Sequence, residues 1–128
     1  MAQNKVVVQY VDGTLVKGET RDFSPNKDTF HMQQQDNEIL TIHMEKLKAV
    51  FFVKDYEGNK DYNETYEDII AGGGKKIRVK FSDGETMIGY AQVFMPKRIG
   101  FFIIPADKES NNERIFILNS ATESVRFL

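Results

Sequence analysis

"VVVQYVDGTLVKGET" (residues 6–20) and "IRVKFSDGETMIGYA" (residues 77–91) are almost the same phrase written twice. With a shift of 71, residues 5–30 lie over 76–101 without a gap, and eight of the 26 pairs are identical. These are Lys5/Lys76, Val8/Val79, Asp12/Asp83, Gly13/Gly84, Gly18/Gly89, Phe23/Phe94, Pro25/Pro96 and Phe30/Phe101. The register resumes with a shift of 75, where Glu38/Glu113, Ile42/Ile117, Val50/Val125 and Phe52/Phe127 match. The second copy therefore holds four extra residues within "PADKESNN". Self-similarity of this kind marks an internal duplication, and whatever one copy folds into the other should fold into as well.

Each copy reads as five short strands. The first two flank an Asp-Gly pair, which predicts a tight hairpin with a type I′ turn. The second strand runs past Gly18 or Gly89, where a missing side chain permits a sharp bend. A third strand follows Phe-x-Pro (about 29–34 and 100–104), then a fourth (39–44 and 114–118). "MEKL" and "NSAT" suggest one helical turn before the fifth strand (48–54 and 123–128). No window sustains a period of 3.6, so the chain is expected to be all-β. Comparing the copies assigns faces. Val6, Val8 and Tyr10 correspond to Ile77, Val79 and Phe81, apolar in both, and should point inward. Val7 and Gln9 correspond to Arg78 and Lys80, and should point outward.

Five strands, a long bent second strand and a single turn before the last resemble the SH3-like barrels, in particular the Sm-like variety. "V-x-Y-V-D-G-T-x-x-x-G" and "V-x-F-S-D-G-E-x-x-x-G" are similar to the first part of an Sm motif. The resemblance covers about 50 residues of each copy. It implies two duplicated five-stranded SH3-like (Sm-like) barrels packed together, at residues 1–54 and 75–128. The positions through which Sm-like proteins contact RNA are not matched by "TFHMQQ" or "GFFIIP", and none is carried over. "LKAVFFVKD" and "NNERIF" also resemble phrases in uncharacterised bacterial proteins, which implies a bacterial origin.

Charge is distributed unevenly along the chain. The total of −2 divides into a balanced 1–54, a segment 55–74 at −5, and a second copy, 75–128, at +3. The acidic segment, dotted with Tyr56, Tyr62 and Tyr66 and ending in Gly72–Gly74, reads as a solvated linker or as a strap over one copy. With no Cys, thiolate chemistry, disulfides and Cys-ligated metals are excluded. No stretch approaches a membrane span and the first residues do not form a signal peptide, so a soluble cytoplasmic protein is expected.

Chemistry-bearing patterns are sparse. There is no nucleophile elbow, and "AGGGKK" lacks the spacing of a phosphate-binding loop. Neither an enzyme, a cofactor nor a metal is expected. The two histidines, His31 and His43, should face each other across the third and fourth strands, a surface pair too small to be a metal site. Apolar residues at outward positions, namely Phe51, Val53, Phe102, Ile104, Phe116 and Leu118, leave two readings: packing of one copy on the other, or a partner interface. A basic set, Lys76, Arg78, Lys80, Lys97 and Arg98, is either a solvated face or a contact for phosphate. The function expected is therefore non-enzymatic binding or scaffolding of a protein, self or other, with nucleic-acid or nucleotide binding as the alternative. In the loop "SNNERIF", Asn111, Asn112 and Arg114 serve either as turn caps or as donors to a ligand.

Overall fold

A computed structural model describes residues 4–56, 74–92, 97–107 and 109–128. The chain is all-β. Its strands are β1 (Asn4–Tyr10), β2 (Leu15–Thr20), β3 (Thr29–Gln33), β4 (Ile39–His43), β5 (Leu47–Val53), β6 (Lys75–Phe81), β7 (Thr86–Ala91), β8 (Gly100–Pro105), β9 (Asn112–Leu118) and β10 (Thr122–Phe127). A single 3-10 turn precedes β5 (Met44–Lys46) and another precedes β10 (Asn119–Ala121), where "MEKL" and "NSAT" point to them. The acidic segment lies outside the described residues apart from Asp55, Tyr56 and Gly74. No described helix is long and apolar enough to cross a membrane.

The ten strands form one continuous open sheet in the order β10-β6-β7-β8-β9-β5-β1-β2-β3-β4. The two expected closed barrels are therefore corrected to halves joined edge to edge. The joint is the antiparallel pair β5–β9, with Ala49 opposite Ile117, Val50 opposite Phe116 and Phe51 opposite Ile115. Each half runs in the same order, with its fifth strand beside its first, then second, third and fourth. The physical reason is that β5 and β9 each have one edge left over after pairing within their own half. Joining those edges satisfies both backbones at once.

The Asp-Gly hairpins form, with a different turn. Tyr10 N–H donates to Thr14 O and Gly13 N–H to Tyr10 O, and Asp12 Oδ1 accepts from Thr14 N–H. Only Gly13 of the loop has a positive φ, +94°. This is a three-residue loop, a type I turn closed by a left-handed glycine, rather than a two-residue type I′ turn. Phe81, Gly84 and Glu85 repeat it. Gly18 and Gly89 mark the bends, each pressed against backbone: a Cβ would stand 2.6 Å from Gln33 O at Gly18 and 2.6 Å from Ile104 O at Gly89.

The histidine pair expected across β3 and β4 does not form. The hairpin turns one residue earlier, with Asn37 left-handed at φ +69°, and sets Thr29 opposite His43 and His31 opposite Thr41. His31 Nδ1 instead lies 2.6 Å from Asp22 Oδ2.

Edge-to-edge joining has a consequence for faces. Along the row Val8–Val50–Phe116–Phe102, register places the inward residues of the first half beside the outward residues of the second. Along Val7–Phe51–Ile115–Ile103 the reverse holds. Each half thus caps the core of the other, and the buried residues of both form one cluster. This corrects the expected outward patch. Phe116, Leu118 and Val53 are buried, and Phe51 and Phe102 are half-buried against the same core. Phe23 of the first half meets Phe30, Phe52, Phe102 and Phe116 edge to face, with ring centroids 5.1–5.9 Å apart. Pairs in this geometry contribute stability beyond that of the area they bury. Val7, expected outward, is buried for the same reason, while Arg78 and Lys80 on the equivalent strand are exposed.

A buried charge crosses the joint. Lys48 on β5 is buried, its ammonium bonded to Asp83 (2.7 Å) and Glu85 in the second half's hairpin loop and lying 4.6 Å from the Phe81 ring centroid. Burial opposes the charge on Lys48, but the bonds to Asp83 and Glu85 outweigh it and hold the amine above the ordinary lysine value of 10.5. The Lys48 hydrogen bond in turn holds the Asp83 carboxyl below 3.8, aided by the Glu85 N–H. A raised lysine contributes stability that is complete below 10.5 and is lost as pH climbs through its folded value. A lowered aspartate contributes stability that is complete above 3.8 and is lost as pH falls through its folded value. Stability is therefore expected to be flat across neutral pH and to fall at both extremes. Lys48→Met should lose about 1.5–3 kcal/mol in urea titration at pH 7, the range for a hydrogen-bonded charge. It should also flatten the acid and alkaline losses. A variant as pH-sensitive as the wild type would show that the clasp is not the source of that dependence.

Candidate functional site

Beside the joint the sheet opens into an apolar cleft of about 490 Å³. Its lining comes from both halves, with Pro25 and Asn26 from the segment after β2 facing Tyr90, Phe101, Phe102, Ile104 and Phe116 of the second. Its two described cations are Arg98 and Arg114. Arg98 Nη1 donates to Asn26 Oδ1 at 2.7 Å, a contact between the halves. The Arg114 guanidinium lies over Phe52 (4.3 Å to the centroid) and Phe102 (4.6 Å). Stacking of this kind holds a guanidinium in place and leaves its N–H donors free to point sideways, which suits a carboxylate or phosphate. β5 and β9 build this arrangement, because Phe52 is opposite Arg114 in the joint.

Three of the six apolar candidates, Phe102, Ile104 and Phe116, line this cleft together with Arg98 from the basic set. The others are placed elsewhere. Phe51 lies on the opposite face of the joint in a small depression with Met87, Ile103 and Ile115. Val53 and Leu118 are buried in the core and its margin. Arg78 and Lys80 stand on the exposed face of β6 with Arg126 of β10, and Lys80 Nζ is 3.2 Å from Glu123. Lys76 is half-exposed on β6, opposite Tyr90 of β7, and Lys97 is exposed, next to Arg98 in the chain.

The loop "SNNERIF" divides its work. Asn111 fastens the chain as it leaves β5: its Oδ1 accepts from Asp55 N–H (3.1 Å) and its Nδ2 donates to Asp55 O (2.8 Å). Asn112 N–H donates to Ser110 Oγ, closing the turn. Arg114, which the sequence groups with them as a donor, turns instead over the aromatic rings. Its stacking is not legible in the sequence, because Phe52 lies 62 residues earlier. Sequence reasoning also misses Lys48, although a lysine inside the otherwise apolar "LKAVFFV" is a usable signal. Tyr56 packs by the first half, its ring centroid 5.7 Å from Lys5 Nζ and its carbonyl accepting from Lys17 Nζ at 2.9 Å. Among the described residues no group of three or more His, Asp or Glu is placed to hold a metal ion.

The comparison with family models matches residues 2–128 to one described as a family of unknown function, DUF6982. No curated protein and no solved structure matches the chain.

Proposed function

The chain belongs to the DUF6982 family, and we propose that it is a non-enzymatic binding module for a protein partner, built from two copies of one SH3-like strand unit. The observation that carries this reading is the apolar cleft whose walls come from both halves, with two anchored guanidinium groups. Such a cleft fits an extended segment that places a bulky apolar side chain on Phe102 and Ile104 and an acidic side chain near Arg114. Arginine and aromatic anchors that become fully desolvated on binding carry much of an interface's energy. Selection of displayed random peptides on the purified protein tests it. Enriched sequences should pair a bulky apolar residue with Asp or Glu, and Arg114→Glu or Ile104→Glu should each weaken them about tenfold or more. Absence of enrichment, or binding that survives both substitutions, would sink the reading.

A second reading rests on the exposed face of β6 and β10. There Arg78 stands directly opposite Arg126, and like charges so placed are unfavourable unless an anion lies between them. Nucleic acid would supply one. Fluorescence anisotropy with short RNA and single-stranded DNA at two salt concentrations decides. Binding that falls steeply with salt and disappears in the Arg78→Glu, Arg126→Glu double variant would favour it over the cleft.

A further inference from the structure

We propose that this chain assembles head to tail with further copies of itself, the β10 edge of one molecule adding to the β4 edge of the next. β10 and β4 are the two ends of the open sheet, each paired on one side only among the described residues. They are also matched ends. The internal joint is made by the fifth strand of the first half, β5, and the fourth strand of the second, β9. β10 is the fifth strand of its half and β4 the fourth of its own. Every molecule thus carries, at opposite ends, the two sides of one more such joint.

Register makes the match specific. Carried over from Ala49–Ile117, Val50–Phe116, Phe51–Ile115 and Phe52–Arg114, the joint between molecules sets Ser124 opposite Ile42, Val125 opposite Thr41, Arg126 opposite Leu40 and Phe127 opposite Ile39. Five large apolar side chains are exposed among the described residues, and three lie on these two edges: Ile39 (68%), Phe127 (59%) and Leu128. Phe127 and Ile39 meet in the copied register. The counterpart of Phe127 is Phe52, which is only 3% exposed, with Arg114 and Phe102 of the other half and Phe23 of its own against its ring. Phe127 has the Lys75 ammonium 5.6 Å from its ring centroid and is still more than half exposed, and a second molecule's β4 would bring Ile39 against it. A joint of this kind is heterologous, so it closes into a ring or continues as a filament.

The copied joint is weaker than the internal one. Lys48 has Glu123 as its counterpart, and Asp83 and Glu85 have Asp12 and Thr14. The ammonium clasp is replaced by two acids facing each other, so association should be reversible and should strengthen with added salt.

Sedimentation velocity of the full chain over a wide concentration range tests this. The average mass should rise with concentration. Ile39→Lys and Phe127→Lys, both at exposed positions and checked for unchanged circular dichroism, should each be monomeric alone, since each retains only one edge. Mixed in equal amounts they should form a dimer and nothing larger, because their intact edges are complementary. Asp12→Asn, which keeps the loop bond to Thr14 and removes the charge, should tighten assembly several-fold. A wild type that stays monomeric throughout, a single variant that still dimerises alone, or a mixture that fails to pair would each overturn the proposal. An Asp12→Asn variant that assembles no more tightly would overturn the copied register.

Discussion

Phe116→Ala is expected to cost about 3–5 kcal/mol, the range for a buried Phe truncated to Ala, and to lower the stability of both halves together. The ring has no exposed surface. It belongs to β9 of the second half but lies 5.1 Å from Phe23 of the first, as close as it lies to Phe102 of its own half (5.0 Å). Removing it opens a cavity that neither half can close alone, because its walls are strands fixed in one sheet. Stability totals for single domains are about 5–15 kcal/mol, so the variant should sit near its threshold. Urea unfolding followed by far-ultraviolet circular dichroism and by tyrosine fluorescence should give one shared, shifted midpoint. Two separated transitions would show that the halves do not share a core. Phe116→Leu, which keeps most of the volume, should lose far less.

Gly89→Ala comes next, at about 3 kcal/mol, the upper range for overfilling a packed site. Here the obstacle is backbone. The added Cβ would meet Ile104 O at 2.6 Å, and Ile104 cannot retreat without breaking the β7–β8 ladder, which is only two residue pairs wide. Gly18→Ala faces the same contact with Gln33 O, where β2 and β3 are held by a single pair. The comparison control is Gly13→Ala. Nothing stands within 4 Å of its Cβ, so its cost is limited to the strain of a positive φ. If Gly89→Ala proved no worse than Gly13→Ala in thermal unfolding, the close approach at the bend would not govern stability.

Elements set by neighbours along the chain are legible in the sequence alone. The ten strands, both Asp-Gly hairpins and both 3-10 turns follow from short-range patterns, and Val6, Val8, Ile77 and Val79 point inward as alternation requires. What fails depends on pairings far apart in the chain. Nothing local says that β5 will meet β9 rather than close its own barrel. Once it does, Phe116 changes from surplus surface to core, and Phe51 and Phe102 pack half-buried against it. The histidine pair fails on a smaller scale, because Asn37 adopts a left-handed conformation and shifts the hairpin register. The candidate cleft inherits both problems. Phe102, Ile104, Phe116 and Arg98 stand out in the sequence for separate reasons, and only the joint brings them to one place beside a stacked Arg114.

The exchange of faces at the joint also makes the order of the two halves irreversible. Phe51 and Phe116 occupy strands that end up in the middle of the sheet, while their counterparts Arg126 and Thr41 occupy strands at its rims. A gene rearranged to encode 75–128 before 1–54 would move arginine and threonine to the centre and strand two phenylalanines on the margins. The same segments, translated in the opposite order, would give a chain with a more hydrated middle and stickier ends.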